Sequence, residues 1–141
     1  MPHIRHLIQI DTSPGTVYSA VTTREGFAAW WTNEVDVKPG GESNLLLYFG
    51  PDYFKELHPV EVLANRRAVW KVVAGHPQWI KTEIVFNLRH DGKSTQLFFE
   101  HNGWKDYTDL YSQCSYDWSI FLRSLKTYCE TGTGKPFPDY L

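Results

Sequence analysis

Cysteine is scarce in this chain: Cys114 and Cys129 are the only two. Both fall in one expected helix, fifteen residues apart, which at 1.5 Å rise separates them by about 22 Å. A disulfide needs Cα atoms within about 7 Å, so no bridge can close inside one monomer. Two free thiols point to the cytoplasm. An excess of one charge is missing too. Fourteen basic residues stand against sixteen acidic ones, a net charge of −2, which offers no electrostatic footprint for nucleic acid or an anionic membrane. Long apolar runs are absent; "LLLYF" falls far short of the roughly 20 residues that cross a bilayer. The opening "MPHIRHLIQI" lacks an apolar h-region and a small-residue cleavage site, so no signal peptide is expected.

Standard catalytic signatures are also lacking. There is no G-x-S-x-G, H-E-x-x-H, phosphate-binding glycine loop or C-x-x-C, and no cofactor is expected. "GTGKPF" near the end has neither the preceding strand nor the following helix that would aim its amides at a phosphate. Of the histidines at 3, 6, 58, 76, 90 and 101, only His3 and His6 are close in sequence. A strand puts those two on opposite faces, so no metal site is expected.

What the chain does have is aromatic side chains, 16% of 141 residues, including six tryptophans. A chain of this length fits one domain, residues 1–141, with a core large enough to need no staple. Aromatics fill such cores and also line ligand pockets. "HIRHLIQI" alternates as a first strand, with Ile4, Leu7 or Ile8, and Ile10 as its apolar members. Ser13 is placed to cap a helix opened by Pro14. A second short helix, "REGFAAWW", follows. From Glu34 to His101 the period is two, giving six strands: "EVDV", "NLLLYF", "HPVEVLA", "RAVWKVV", "WIKTEIVFNLR" and "TQLFFEH". Short connections, with Asp91-Gly92 the strongest hairpin signal, imply an antiparallel meander. Leu110, Cys114, Trp118, Phe121, Leu122, Leu125 and Cys129 then recur every three or four residues, the stripe of a long helix that stops at Gly132. One helix about 10 Å wide cannot cover a broad flat sheet, so the sheet is expected to curl round it.

Strand parity sorts the candidate side chains. Thr95, Leu97, Phe99 and His101 share one face; so do Ile80, Thr82, Ile84, Phe86 and Leu88; so do His58, Val60 and Val62; and so do Ala68, Trp70 and Val72. This puts His58 and His101 at the rim of an apolar face. There, a histidine either orients or protonates a ligand or makes a structural hydrogen bond at a strand end. Asp36, Glu42, Glu61 and Glu100 are carboxylates with no evident pairing. Of Trp30 and Trp31, one is expected inside and one at the lip of a pocket. In "EHNGWKDY", Gly103 is expected to swing the chain from sheet to helix and Trp104 to plug the corner.

Five motifs in order carry a family resemblance: "SPGTVYSAVTTREGFAAWW", "HPVEVLANRRAVWKV", "TEIVFNL", "TQLFFEHNGW" and "LKTYCETGTGKPFP". The chain resembles, nearly end to end, the C-terminal-domain-like family of the activator of the heat-shock-protein-90 ATPase, within the START-like (SRPBCC) superfamily. It departs from that pattern at Arg24, where the family often has proline, and at Asp117, where glycine often precedes the tryptophan. The resemblance implies an α+β helix-grip fold: a curved seven-stranded antiparallel sheet around a long C-terminal helix, with two short helices after the first strand. The co-chaperone that names the family is larger and acts largely through an additional N-terminal domain, for which this chain has no room. Relatives include lipid and hormone binders and cyclases. Three roles are therefore carried forward. The first is non-enzymatic binding of an apolar or aromatic small molecule, walled by Trp31, Phe49, Trp70, Phe86, Phe99, His101, Trp118, Phe121 and Leu122. The second is a cyclase or hydratase using His58 or His101 as base. The third is protein interaction, through a chaperone contact or a homodimer.

Overall fold

The computed structural model describes residues 2–40 and 43–141. Chain order is β1 (Ile4–Ile10), α1 (Pro14–Ala20), α2 (Arg24–Trp30), β2 (Glu34–Val37), β3 (Leu45–Tyr48), β4 (Phe54–Leu63), β5 (Arg67–Ala74), β6 (Glu83–His90), β7 (Thr95–Asn102) and α3 (Asp109–Thr131). The seven strands form one antiparallel sheet in the order β1-β7-β6-β5-β4-β3-β2. It is a meander from β2 to β7, with β1 added beside β7. The sheet curves round α3, the helix-grip architecture.

Local chemistry sets the helix ends. Ser13 accepts from Thr16 N ahead of Pro14, and Thr23 accepts from Gly26 N at 2.9 Å. Thr108 caps α3 by accepting from Tyr111 N at 3.1 Å. Gly132, at φ 90°, supplies the left-handed residue that ends it. The turn between α1 and α2 is held from inside: Trp30 Nε1 donates to Ala20 O at 2.8 Å and Trp70 Nε1 to Val21 O at 2.9 Å. Both indoles thus bury their rings without orphaning their N–H groups. Helix α3 lays Cys114, Trp118, Phe121, Leu122, Leu125 and Cys129 on the sheet, and both cysteines are free thiols. Among the described residues no helix is long and apolar enough to cross a membrane.

In β1 the inward set is Ile4, His6, Ile8 and Ile10, so Ile8 rather than Leu7 faces the core, with Leu7 62% exposed. Three expectations need correction. On β4 the set His58, Val60 and Val62 does not face inward together. Register shifts at Glu56/Leu57 and Pro59/Glu61 break the alternation, so Leu57 is buried and Val60 and Val62 are about half exposed. Pro59, which has no N–H to give a ladder, sits at the second irregularity. The strand expected from Trp79 begins only at Glu83. Residues 76–82 form a turn in which Trp79 N and Ile80 N both donate to His76 O and Lys81 has φ 76°. That turn buries Trp79 and leaves Ile80 39% exposed. Finally, Trp30 and Trp31 are both buried. The C-terminal tail covers the second of them, with Phe137 N donating to Trp31 O and Asn33 N to Phe137 O.

The junction "EHNGWKDY" is structural. Gly103, at φ 96°, lies where a Cβ would come within 3.4 Å of Thr82 Cα. Trp104 is buried with its ring against Trp79, His101 and Tyr111.

Candidate functional site

The grip is filled along most of its length and opens at one end. A cavity of about 300 Å³ lies between β3–β4, the turn at 76–82, the first half of α3 and the C-terminal tail. Its walls are Trp31, Phe49, Tyr53, Lys55, His76, Trp79, Leu110, Cys114, Asp117, Trp118, Phe121, Phe137 and Tyr140. The tail closes one side by ring contact: Phe137 lies 5.5 Å from Phe49, and Tyr140 stacks on Phe121 at 4.7 Å.

Lys55 is the one cation on this wall. It alternates inward with Leu57 along β4 and is only 8% exposed. Its Nζ lies 4.1 Å from the Phe49 ring centre, 4.4 Å from Tyr53 and 4.5 Å from Trp79. Three ring faces thus hold the ammonium through their quadrupoles. Burial nonetheless pushes its pKa down to about 8, with Asp117 and any Cys114 thiolate pulling it upward. Among the described residues the Lys55 ammonium makes neither a hydrogen bond nor an ion pair. The neighbouring polar groups are otherwise engaged: Tyr53 Oη accepts from His76 N at 3.0 Å, Cys114 Sγ from Trp79 Nε1 at 3.3 Å, and Asp117 Oδ1 from Gln113 Nε2 at 3.1 Å. Burial raises the pKa values of the Cys114 thiol and the Tyr53 phenol, so both are neutral near pH 7.

Of the nine residues expected on the wall, Trp31, Phe49, Trp118 and Phe121 line this cavity. The other five lie in the packed interior. Trp70 and Phe86 are covered by α1 and α2, with Phe27 edge-on to Trp70 at 5.5 Å and tilted on Phe86 at 6.4 Å. Phe99 is covered by Trp118 at 4.5 Å, and Leu122 is 1% exposed. His101 is fully buried and both its ring nitrogens are used. Trp118 Nε1 can only donate, and it meets Nδ1 at 3.1 Å. Thr82 Oγ1 gives its proton to Trp79 O, so at 2.8 Å it must accept from Nε2–H. These donors assign the neutral Nε2–H tautomer. Burial depresses the pKa to about 3 and keeps the ring neutral, and its one lone pair, on Nδ1, is taken by the Trp118 N–H.

His58 is on the opposite face of the sheet, bonded through Nδ1 to Asn44 Oδ1 at 2.7 Å, beside the Lys38–Glu56 ion pair. Asp36 is exposed, Glu61 pairs with Arg67, and Glu100 faces outward on β7; Glu42 lies outside the described residues. Among the described residues, no three His, Cys, Asp or Glu side chains converge on a point. Sequence reasoning missed Lys55, Tyr53, Trp79 and the tail aromatics Phe137 and Tyr140. Leu57 carried a usable signal, because alternation back from it places Lys55 and Tyr53 on the inner face.

Fold and cavity together define a START-like helix-grip protein. The chain belongs to the family described as activator of Hsp90 ATPase homolog 1-like protein, whose model matches residues 11–130. It is similar to the Aha1 dimer from Colwellia psychrerythraea solved in solution, with 32% identity, a TM-score of 0.83, and coverage of 95% of this chain and 100% of that one. DynU16, a protein of the dynemicin biosynthetic locus, superposes at TM-score 0.78 and 18% identity, over 96% of this chain but 49% of its own. CalU16 from Micromonospora echinospora does so at 0.71 and 18%, over 98% and 78%. These two likenesses are of fold alone. No curated protein matches in sequence.

Proposed function

We propose that this chain binds an apolar or aromatic small molecule in the aromatic cavity at the open end of the grip, without catalysing a reaction. What carries the reading is a cavity of about 300 Å³ with walls of tryptophan, phenylalanine and tyrosine around a single buried cation. That size is at the lower end of small-molecule sites, and convergent apolar walls with a few polar groups are their usual form. The locked hydrogen bonds of His101 argue against the cyclase alternative with His101 as its base. A cytoplasmic location accords with the two free thiols.

Native mass spectrometry of protein purified from its own source tests this reading. A retained small molecule that leaves on denaturation, and is lost in a Cys114→Trp variant that fills the cavity, supports it. Protein that carries nothing, and that gives no saturable signal with the probe N-phenyl-1-naphthylamine, overturns it.

A second reading, self-association, draws support from the Colwellia dimer and from Val60, Val62 and Leu63, which leave the far half of β4 about half exposed. Light scattering after gel filtration at 10–100 µM protein (a range of about tenfold) decides it: a monomer throughout excludes a dimer of useful affinity. The chaperone contact suggested by the family's description is tested by the same samples, mixed with purified Hsp90; no co-elution removes it.

A further inference from the structure

The buried ammonium at the cavity wall has no counter-ion, and this bears on what the cavity takes. Resting on the binding reading above, we infer that the ligand is an anion, a carboxylic acid of one or two rings, whose carboxylate meets Lys55 Nζ while its rings lie against Trp31, Trp118 and Phe121.

Geometry carries the inference. An ammonium has three N–H donors, and the Lys55 cage offers ring faces but no acceptor atom. Ring quadrupoles offset part of the charge's desolvation but supply no acceptor, and Nζ is not fully enclosed, so a guest in the cavity can reach it. Asp117, the carboxylate on the same wall, lies beyond ion-pair distance and already accepts from Gln113. Cys114 and Tyr53 face Lys55 as neutral groups near pH 7. A purely apolar guest would close the ammonium off from solvent and give it no acceptor. An acid of matching shape supplies both the opposite charge and the acceptor oxygens, in a site where low dielectric strengthens the pair. Burial alone would favour a neutral amine, and the pKa of about 8 leaves the group mostly charged at pH 7 and so ready for an anion.

The test compares two probes that share a ring system, 1-naphthoate and its methyl ester, by quenching of the wall tryptophans at pH 7. The ester is the more apolar of the two and binds better in a merely greasy pocket. The expected result is that naphthoate binds at least about tenfold more tightly than the ester, the size of one charge-assisted hydrogen bond. Lys55→Met should erase that preference, bringing the ratio of acid to ester affinity to about one or below. Equal or tighter binding of the ester to the native protein overturns the anion assignment and leaves the binding reading intact. A preference for naphthoate that survives in Lys55→Met overturns the role of Lys55. Binding of neither probe removes both. Should the variant fail to fold, the comparison of acid and ester on the native protein still decides.

Discussion

Replacing Lys55 with methionine should stabilise the protein. The two side chains have similar length, and methionine fills the aromatic cage without a charge. Burial lowers the lysine pKa from 10.5 to about 8. At about 1.4 kcal/mol per pH unit, keeping the ammonium inside costs about 3 kcal/mol at neutral pH. The three ring faces at 4.1 to 4.5 Å return about 1–2 kcal/mol. The variant should therefore gain about 1–2 kcal/mol at pH 7, enough to raise Tm by several degrees in a chain of this size. The pH dependence has a definite sign. Between about pH 8 and 10.5 the unfolded lysine holds a proton that the folded one has lost, so native stability rises with pH across that window. Tyr53 and Cys114, whose pKa values are raised, pull the other way. Both remain in the variant, so the difference between the two proteins isolates Lys55. Urea titrations at pH 7 and pH 10 measure it, with equal m-values required for the comparison. The gain should be largest at pH 7 and shrink toward pH 10. A variant that is less stable at pH 7, or a difference that does not change with pH, would show that the ammonium is not held at a cost.

Thr82→Val should cost about 1–3 kcal/mol in urea titration at pH 7, because His101 Nε2–H loses its acceptor in a fully buried site. His101, at about 3 in the fold against 6.5 when unfolded, stabilises the protein above pH 6.5, and that stability is lost as pH falls from 6.5 toward 3. Long-range ¹⁵N spectra should accordingly find its ring neutral and Nε2-protonated at pH 5; an imidazolium there refutes the assigned tautomer. Gly26→Ala should lower Tm sharply and cost at least about 2 kcal/mol, because the new Cβ would sit 2.6 Å from Ala20 O, a backbone atom of the tight α1–α2 turn. A variant as stable as the native protein would mean that this turn can open.

The fold was legible because its signals are distributed. Alternation survives a misplaced strand end, and the three- and four-residue stripe from Leu110 to Cys129 continues whatever lies opposite it. The cavity depends instead on places where alternation fails. Reading "HPVEVLA" by parity from His58 turns the wrong residues inward, since His58 alternates outward beside the buried Leu57 and a further register shift follows at Pro59/Glu61. Reading "WIKTEIV" as a strand hid the turn that carries Trp79 over Lys55, with Lys81 in the left-handed region. Aromatic weight was likewise a poor guide to position. Trp70, Phe86 and Phe99 sit at the sheet centre, where α2 and Trp118 press directly on them, so bulk there means packing. The aromatic cavity lies where β3 and β4 run past the edge of α3 and the chain's last residues are the remaining cover. A lysine on an inward strand position is costly to bury, which makes it a sharper marker of such space than any ring. In "DYFKEL" that marker is Lys55, two residues before Leu57, inside the one strand whose register the sequence does not reveal.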